Sequence, residues 1–322
     1  MVNILAYFRL VRLPILALIA LIQYCIRYYI LEPMLQINGY QLLMSDRQFF
    51  YLVLSTVLIA AGGYAINDYF DVKTDRVNKL KRVIIDRYIK RRVAMTLHIV
   101  LTSLGFVLAS YLSWKLGMWR MSSLFIFVIF SLWFYSTNLQ YQILTGNIAI
   151  ALMAGFVSLI VGLFEIPLQN AAHPELLKEY GYSIFNIPAY WVIGFSVILF
   201  LLTLIREVTK DVIDIRGDRM FSASTFPIRF GVKASKSLII ALYAVFGAAL
   251  SWAYFSFLHV HLGMGTIFSI VILLLILQLI LIFRAKTKKH FSFSSNLNNV
   301  ITVIMILSLY LIKVSIETNF SY

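Results

Sequence analysis

The chain has 322 residues, of which 61% are hydrophobic and 13% charged, with a mean hydropathy of +0.86. An ordinary soluble domain carries about 25% charged residues, so this composition excludes soluble, disordered, fibrous and disulfide-stapled classes and predicts a polytopic membrane protein. The single cysteine, Cys25, excludes an intrachain disulfide. The net charge of +14 favours loops held against anionic membrane lipid over a nucleic-acid partner.

Nine apolar runs are long enough to cross a bilayer as α-helices, which takes about 20 residues each. We therefore predict an all-α fold and one integral-membrane domain over residues 1–322. The first run is long and has no small-residue cleavage site near its end, which favours mature structure over a signal peptide. The predicted spans are residues 13–31, 48–66, 93–113, 119–136, 147–165, 189–205, 236–257, 264–283 and 297–315.

The basic residues divide unequally between the two sides of the membrane. Nine spans put the N-terminus and the loops 2–3, 4–5, 6–7 and 8–9 on one side, which holds 22 of the 28 Lys and Arg residues. The positive-inside rule places that side in the cytoplasm. We therefore expect an integral membrane protein of the cell (inner) membrane, with these four loops facing the cytoplasm.

Two aspartate-rich segments follow spans 2 and 6, and both have the spacing D-x-x-D-x-x-x-D. On a helix, positions i, i+3 and i+7 fall within about 60° of one another. The segments match in register, since each Asp and a following Arg recur 143 residues later. This offset predicts an internal repeat with both segments on the same side and facing each other. The first acidic cluster is Asp68, Asp71 and Asp75, and the second acidic cluster is Asp211, Asp214 and Asp218.

Six converging carboxylates repel one another and raise each other's pKa unless a cation neutralises them. Oxygen ligands suit Mg²⁺, which binds one or two carboxylates together with substrate phosphates and waters. We therefore predict that both acidic clusters are catalytic and bind Mg²⁺ with a diphosphate. Solvated acids paired with neighbouring bases are the alternative, and the matched pattern disfavours it. The basic residues expected to take the remaining phosphate charge are Lys79, Arg82, Arg206, Lys210 and Arg219.

The segments Asn67 to Asp75 and Asp211 to Asp218 resemble the two aspartate-rich motifs of the UbiA superfamily of intramembrane prenyltransferases. Further matches are Asn78-Lys79, Tyr135-Ser136, Gly146-Asn147, Gly217-Asp218-Arg219 and Thr225-Phe226-Pro227. The resemblance implies nine helices around a central cavity, with Mg²⁺ as cofactor. It also implies transfer of a prenyl group from an isoprenoid diphosphate donor to a lipophilic acceptor. The substrate-binding residues it implies are Asn67, Lys79, Arg82, Tyr135, Asn147, Arg206, Lys210 and Arg219.

The string from Arg206 to Arg219 is most similar to the digeranylgeranylglyceryl phosphate synthase branch of that family. This similarity implies a geranylgeranyl donor and the free hydroxyl of geranylgeranylglyceryl phosphate as acceptor. Related strings occur in branches that prenylate quinone or pigment precursors, so an aromatic acceptor stays open. A transporter is the third alternative, although transporter acids lie near the bilayer midplane rather than at span ends. Leu80 and Val83 stand where the family often has proline, and Gln140 where it often has lysine.

Loss of diphosphate from an allylic donor leaves a carbocation that water would quench, so the reaction needs a dry cavity. Aromatic faces can stabilise such a cation without attacking it. Aromatic residues make up 15% of the chain, and most of them are expected simply to pack. The candidates for the cavity are Tyr64, Tyr69, Phe70, Trp133, Phe134 and Tyr135.

Overall fold

The structure of the protein is a computed structural model, which describes residues 4–78, 83–259 and 263–319. Within these ranges the chain is helical and has no β-strand, only an isolated bridge between Ile85 and Ile89. The α-helices of the described ranges are α1 (Ile4–Leu10), α2 (Leu13–Ile26), α3 (Glu32–Ile37), α4 (Asp46–Asn78), α5 (Arg91–Lys115), α6 (Ser122–Thr137), α7 (Thr145–Ala172), α8 (Pro174–Tyr180), α9 (Asn186–Met220), α10 (Phe226–Ala253), α11 (Met264–Arg284) and α12 (Lys288–Asn319).

Nine helical runs in the described part of the chain are long and apolar enough to cross a membrane, which confirms the predicted number. The protein is therefore an integral membrane protein. The first run joins α2 and α3 through a π-helical segment, Arg27–Leu31. The runs are Leu13–Ile37, Asp46–Asn78, Arg91–Lys115, Trp119–Thr137, Thr145–Ala172, Asn186–Met220, Phe226–Leu258, Met264–Arg284 and Lys288–Thr318.

Helices α4 and α9 extend well past the apolar spans predicted for them. They have 33 and 35 residues, whereas about 20 suffice to cross the hydrocarbon core. No proline interrupts either helix after its apolar part, so backbone hydrogen bonding continues through the polar residues that follow. The acidic clusters consequently lie on the last turns of two long helices, and not in irregular loops.

The chain divides into two compact units. The first comprises Met1–Leu21, Met44–Ala149 and Asp214–Thr225. The second comprises Ile22–Leu43, Ile150–Ile213 and Phe226–Tyr322. The boundaries fall inside α2, α7 and α9, so these three helices contribute residues to both units.

In the first unit, small residues let α4 and α5 approach closely. A Cβ atom built on Gly62 would lie 2.5 Å from Cγ2 of Thr102, and one built on Gly105 would lie 2.9 Å from the Ser55 carbonyl oxygen. Nδ1 of His98 lies 2.9 Å from the Gly62 carbonyl oxygen, which gives this buried imidazole a polar partner. Such close contacts are typical of helix pairs in membranes. They fix the position of α4, the helix that carries the first acidic cluster.

In the second unit, buried polar side chains hydrogen-bond between helices. Tyr243 donates to Oδ1 of Asn298 at 3.1 Å, and Nδ2 of Asn298 donates to the Leu202 carbonyl at 3.0 Å. The hydroxyls of Ser158 and Ser196 lie 2.7 Å apart. Buried polar groups of this kind need partners where water is absent, so these contacts stabilise a specific arrangement of α7, α9, α10 and α12.

Candidate active site

The first acidic cluster lies on the last three turns of α4, in the first unit. Asp68, Asp71 and Asp75 are each half-buried, and their helical spacing directs them to one face of α4. Each of these carboxylates has its own set of neighbours, which determines how it can act.

Asp71 is held by two neutral amides. Asn67 donates from Nδ2 to Oδ2 of Asp71 at 3.0 Å, and Gln140 donates from Nε2 to Oδ1 at 2.8 Å. Asn67 also donates to Oε1 of Gln140 at 2.9 Å, and Gln140 donates to the Ser136 carbonyl at 2.8 Å. The three side chains form a closed ring that orients the carboxylate. Because Gln140 is uncharged, the ring leaves the negative charge of Asp71 in place.

Asp68 forms an ion pair with Arg12, with 2.8 Å between Nη2 and Oδ1. Arg12 lies between α1 and α2 with a φ of 55°, a left-handed backbone conformation that is uncommon for a residue with a Cβ. Its guanidinium lies 4.8 Å from the centre of the Tyr64 ring. Burial acts to lower the pKa of Arg12, but the adjacent Asp68 and Tyr64 outweigh it and raise that pKa above its ordinary value. Arg12 therefore stays charged.

A cleft next to this ion pair combines two carboxylates with an apolar wall. Its lining residues are Asp68, Val72, Asp75, Val83, Ile84 and Ile85. Ile84 and Ile85 are also part of a buried cluster that includes Ala6 and Leu10 of α1. Val83, at a position where the family often has proline, is thus part of the apolar wall beside the acids.

Asp86 fixes the turn that carries this apolar wall. It has a φ of 66° and pairs with Arg76 at 3.1 Å and with Arg91 at 3.8 Å. Its backbone N–H donates to the Ile89 carbonyl at 2.9 Å. Exposed ion pairs contribute about 0–1 kcal/mol each, so the buried isoleucines carry more of the turn's stability than these charges do.

The second acidic cluster lies on α9 and is divided between the units. Asp214 and Asp218 belong to the first unit, whereas Asp211 belongs to the second. Oδ1 of Asp214 is buried from solvent, and Asp214 takes part in further interactions. A buried carboxylate oxygen of this kind is suited to a cation ligand.

An amide contact joins the ends of α4 and α9 within the first unit. Asn78 donates from Nδ2 to the Asp214 carbonyl at 2.9 Å and accepts from the Gly217 N–H at 2.9 Å. Burial raises the pKa of the Tyr141 phenol, and the nearby charges of Asp71 and Asp218 raise it further. An acid from each cluster is therefore close to the same phenol.

The other predicted substrate-binding residues lie on three helices, α6, α7 and α9. Tyr135 is half-buried near the end of α6, and Asn147 is 7% exposed in the first turn of α7. Arg219 is exposed on the last turn of α9, and Arg206 is half-buried in the second unit.

Three predicted basic residues have a different outcome. Lys210, also in the second unit, pairs with Glu207 at 2.8 Å. Lys79 and Arg82 lie outside the described residues.

Two of the predicted aromatic residues contact cations of the protein itself. Tyr64 lies under Arg12, and the Tyr69 ring lies 5.3 Å from the guanidinium of Arg91. Trp133 and Phe134 are 38% and 40% exposed. A role for these rings in stabilising a carbocation remains a prediction.

Three side chains at the site were missed by the sequence reasoning as functional residues: Arg12, Asn78 and Tyr141. The sequence offers Asn78 only as part of a family match, and Gln140 only as a departure from the family pattern. Their contacts join positions between 56 and 139 residues apart, so no local spacing could have revealed them.

The described residues contain no group of three or more His, Cys, Asp or Glu placed to hold a metal ion by themselves. The donor chemistry nevertheless fits Mg²⁺ bound with a diphosphate, since all six predicted ligands are carboxylates. Mg²⁺ usually takes only one or two carboxylates and completes its shell with phosphate oxygens and waters. Asp71, which is oriented by its amide partners, and Asp214, which has a buried oxygen, can supply these one or two carboxylates. They suit a Mg²⁺ ion shared with phosphate better than an ion bound by protein ligands alone.

The model of the UbiA prenyltransferase family matches residues 37–300. The chain is 31% identical over 196 residues to a digeranylgeranylglyceryl phosphate synthase of Methanothermobacter thermautotrophicus, covering 60% of each protein. It is 32% identical over 197 residues to one of Methanothrix thermoacetophila, covering 59% of this chain and 64% of the relative. The chain thus spans about three fifths of the length of these curated relatives.

Solved structures with the same fold cover almost the whole chain. One, concerned with digeranylgeranylglyceryl phosphate synthase in membranes, has a TM-score of 0.66 at 20% identity and covers 99% of this chain and 100% of the other. A UbiA homologue from Archaeoglobus fulgidus bound to GPP and Mg²⁺ has a TM-score of 0.58 at 14% identity, covering 95% and 99%. These similarities confirm the all-α, UbiA-like fold.

Proposed function

We propose, because this chain belongs to the UbiA prenyltransferase family, that it transfers a prenyl group from an isoprenoid diphosphate to a lipophilic acceptor, with Mg²⁺. The observation that carries the proposal is the pair of acidic helices joined through Asn78. Asp71 is oriented by two amides on one helix, and Asp214 has a buried oxygen on the other. Such a concentration of carboxylates at the end of membrane helices requires cations.

The residues that would hold Mg²⁺ with the diphosphate are Asp68, Asp71, Asp75, Asp211, Asp214 and Asp218. Mg²⁺, when bound there, would supply positive charge against the charge developing on the leaving diphosphate. The chain's own contribution is orientation and exclusion of water. Asn67 and Gln140 fix Asp71, and the apolar wall beside Asp68 keeps water from one side of the cleft.

In the proposed reaction the bond between C1 of the prenyl chain and the diphosphate oxygen breaks. A bond then forms between C1 and an oxygen of the acceptor hydroxyl. The hydroxyl proton passes to the released diphosphate, which is the base formed in the step. Positioning of donor and acceptor accounts for much of the acceleration in reactions of this kind.

We propose geranylgeranyl diphosphate as the donor and geranylgeranylglyceryl phosphate as the acceptor. The names of the similar synthases support this choice. A phosphorylated acceptor also needs positive charge beyond that used for the diphosphate. The segments around the two acidic clusters supply it, since the 2–3 and 6–7 loops hold sixteen Lys and Arg residues against eight acids. We further propose that this charged side faces the cytoplasm at the cell membrane.

The acceptor assignment is tested with purified protein, labelled geranylgeranyl diphosphate and a panel of acceptors. We expect rapid prenylation of geranylgeranylglyceryl phosphate and little product from 4-hydroxybenzoate or homogentisate. The control is Asp71→Asn, which removes one carboxylate charge at nearly constant size and should form no product from any acceptor. Efficient prenylation of an aromatic acceptor, with none of the phosphoglycerol lipid, would replace our assignment with an aromatic prenyltransferase.

A further inference from the structure

Asn78 is the last residue of α4 and lies one turn after Asp75. Its carboxamide binds α9 through both of its polar atoms, as a donor to the Asp214 carbonyl and as an acceptor from the Gly217 N–H, each at 2.9 Å. The two backbone groups lie within one turn of α9. A planar amide that makes two hydrogen bonds to one turn fixes both the distance and the register of the helices.

Gly217 provides the space for this carboxamide. A Cβ atom at position 217 would lie 2.6 Å from Cγ of Asn78 and closer still to its Nδ2, far inside van der Waals contact. Gly217 is buried within a helix and does not have a positive φ. Its backbone conformation therefore does not require glycine, and glycine inside a helix lowers stability relative to alanine. The close approach of Asn78 supplies the reason for its presence.

The contact is flanked by carboxylates of both acidic clusters. Asp75 precedes Asn78 by three residues on α4, while Asp214 and Asp218 lie on either side of Gly217 on α9. A slip of α9 by one residue would break both hydrogen bonds and move its carboxylates by about 1.5 Å along the helix. A displacement of that size is large for groups that must share a small cation and a diphosphate.

We propose that Asn78, seated against Gly217, is a positioning residue that sets the separation and register of the two acidic clusters for Mg²⁺ and diphosphate. The proposal rests on the proposed function, which assigns those clusters to the Mg²⁺–diphosphate site. The positioning role adds one specific requirement to that function. Binding of diphosphate in the presence of Mg²⁺ depends on a contact between two residues that carry no charge.

The test measures binding of inorganic diphosphate to the purified full-length chain by calorimetry over a range of Mg²⁺ concentrations. The variants are Asn78→Ala, Gly217→Ala and the double variant. Each single change should weaken Mg²⁺-dependent diphosphate binding about tenfold, because the helices lose their fixed register. The double variant should lose less diphosphate affinity than the product of the two single fold-changes, since Asn78→Ala removes the atoms that a Cβ at position 217 would contact.

Matched controls use positions where the same changes meet no neighbour. Gly194→Ala lies on the same helix as Gly217, where an added Cβ has open space. Asn299→Ala removes an exposed carboxamide on α12. Both should bind diphosphate as the wild type does. Thermal unfolding and a single elution peak in detergent establish that each variant is folded.

The outcomes separate this inference from the proposed function. Wild-type protein that binds diphosphate equally with and without Mg²⁺ would refute the proposed function. Mg²⁺-dependent binding by wild type that is retained in folded Asn78→Ala, or independent effects of the two changes, would overturn the positioning role. If Gly217→Ala alone does not fold, recovery of folded protein on adding Asn78→Ala supports the contact, and failure to recover contradicts it.

Discussion

Gln140→Lys tests whether the first acidic cluster depends on an uncharged partner. In the wild type, Nε2 of Gln140 lies 2.8 Å from Oδ1 of Asp71, and Oε1 of Gln140 accepts from Asn67. Lysine can make the first contact but cannot accept the second. It also adds a positive charge beside the carboxylate that we propose for Mg²⁺. We expect weaker binding of Mg²⁺ in the absence of diphosphate.

The magnitude follows from Coulomb's law. A unit charge about 5 Å from a divalent ion gives roughly 2–7 kcal/mol of repulsion at an effective dielectric constant of about 80 to 20. Gln140 is half-buried, so water and salt reduce this repulsion. We therefore expect a net loss of about 1–3 kcal/mol, which corresponds to a tenfold to hundredfold weaker affinity for Mg²⁺. Donor diphosphate should bind no more weakly, because the lysine can contact a phosphate oxygen.

The assay is calorimetric titration of the detergent-solubilised variant, first with Mg²⁺ alone and then with donor diphosphate at saturating Mg²⁺. Gln142→Lys is the matched control, since Gln142 is exposed two residues further along the same segment. Gln142→Lys adds the same charge at a position where solvent screens that charge. We therefore expect its affinity for Mg²⁺ to change by less than about twofold. Equal Mg²⁺ affinity in wild type and Gln140→Lys would refute the argument that Asp71 is a metal ligand oriented by a neutral amide.

Three further predictions concern the metal, the half-buried phenol of Tyr141 and the topology. Asp68→Asn and Asp214→Asn should each abolish turnover in protein that still inserts and folds, and turnover by wild type should vanish in EDTA and return with Mg²⁺. Full activity in EDTA would contradict this. Burial, aided by two nearby aspartates, raises the pKa of Tyr141 in the folded protein. The unfolded chain therefore releases the phenol proton at a lower pH than the folded protein does. Stability should therefore fall as the pH rises above about 10. Tyr141→Phe should reduce this loss of stability at alkaline pH, as measured by thermal unfolding. A dependence of Tm on pH equal to that of the wild type would contradict the prediction. Single cysteines at Asp86 and Ser222 should both be labelled from the cytoplasmic side, and labelling from opposite sides would exclude a shared site.

The amino-acid sequence by itself determined the class of the protein and the location of its acids. Nine spans can be counted from the sequence because the free energy of placing a helix in a bilayer depends mainly on its own composition. The same local logic identified the D-x-x-D-x-x-x-D segments, since helical geometry alone places those three positions on one face. Span ends were less accurate, as α4 and α9 continue as helices through polar residues whose hydropathy resembles that of a loop.

Only the tertiary structure decided how each carboxylate is held. Asp68 pairs with Arg12 from a position 56 residues away, and Gly217 accommodates Asn78 from a position 139 residues away. These contacts depend on the distance and register between packed helices, which no sequence spacing encodes. The same packing places Gln140 in a ring with Asn67 and Asp71, which turns an apparent departure from the family pattern into a defined contact. Local composition thus predicts which residues reach the membrane surface, whereas helix packing determines which of them meet.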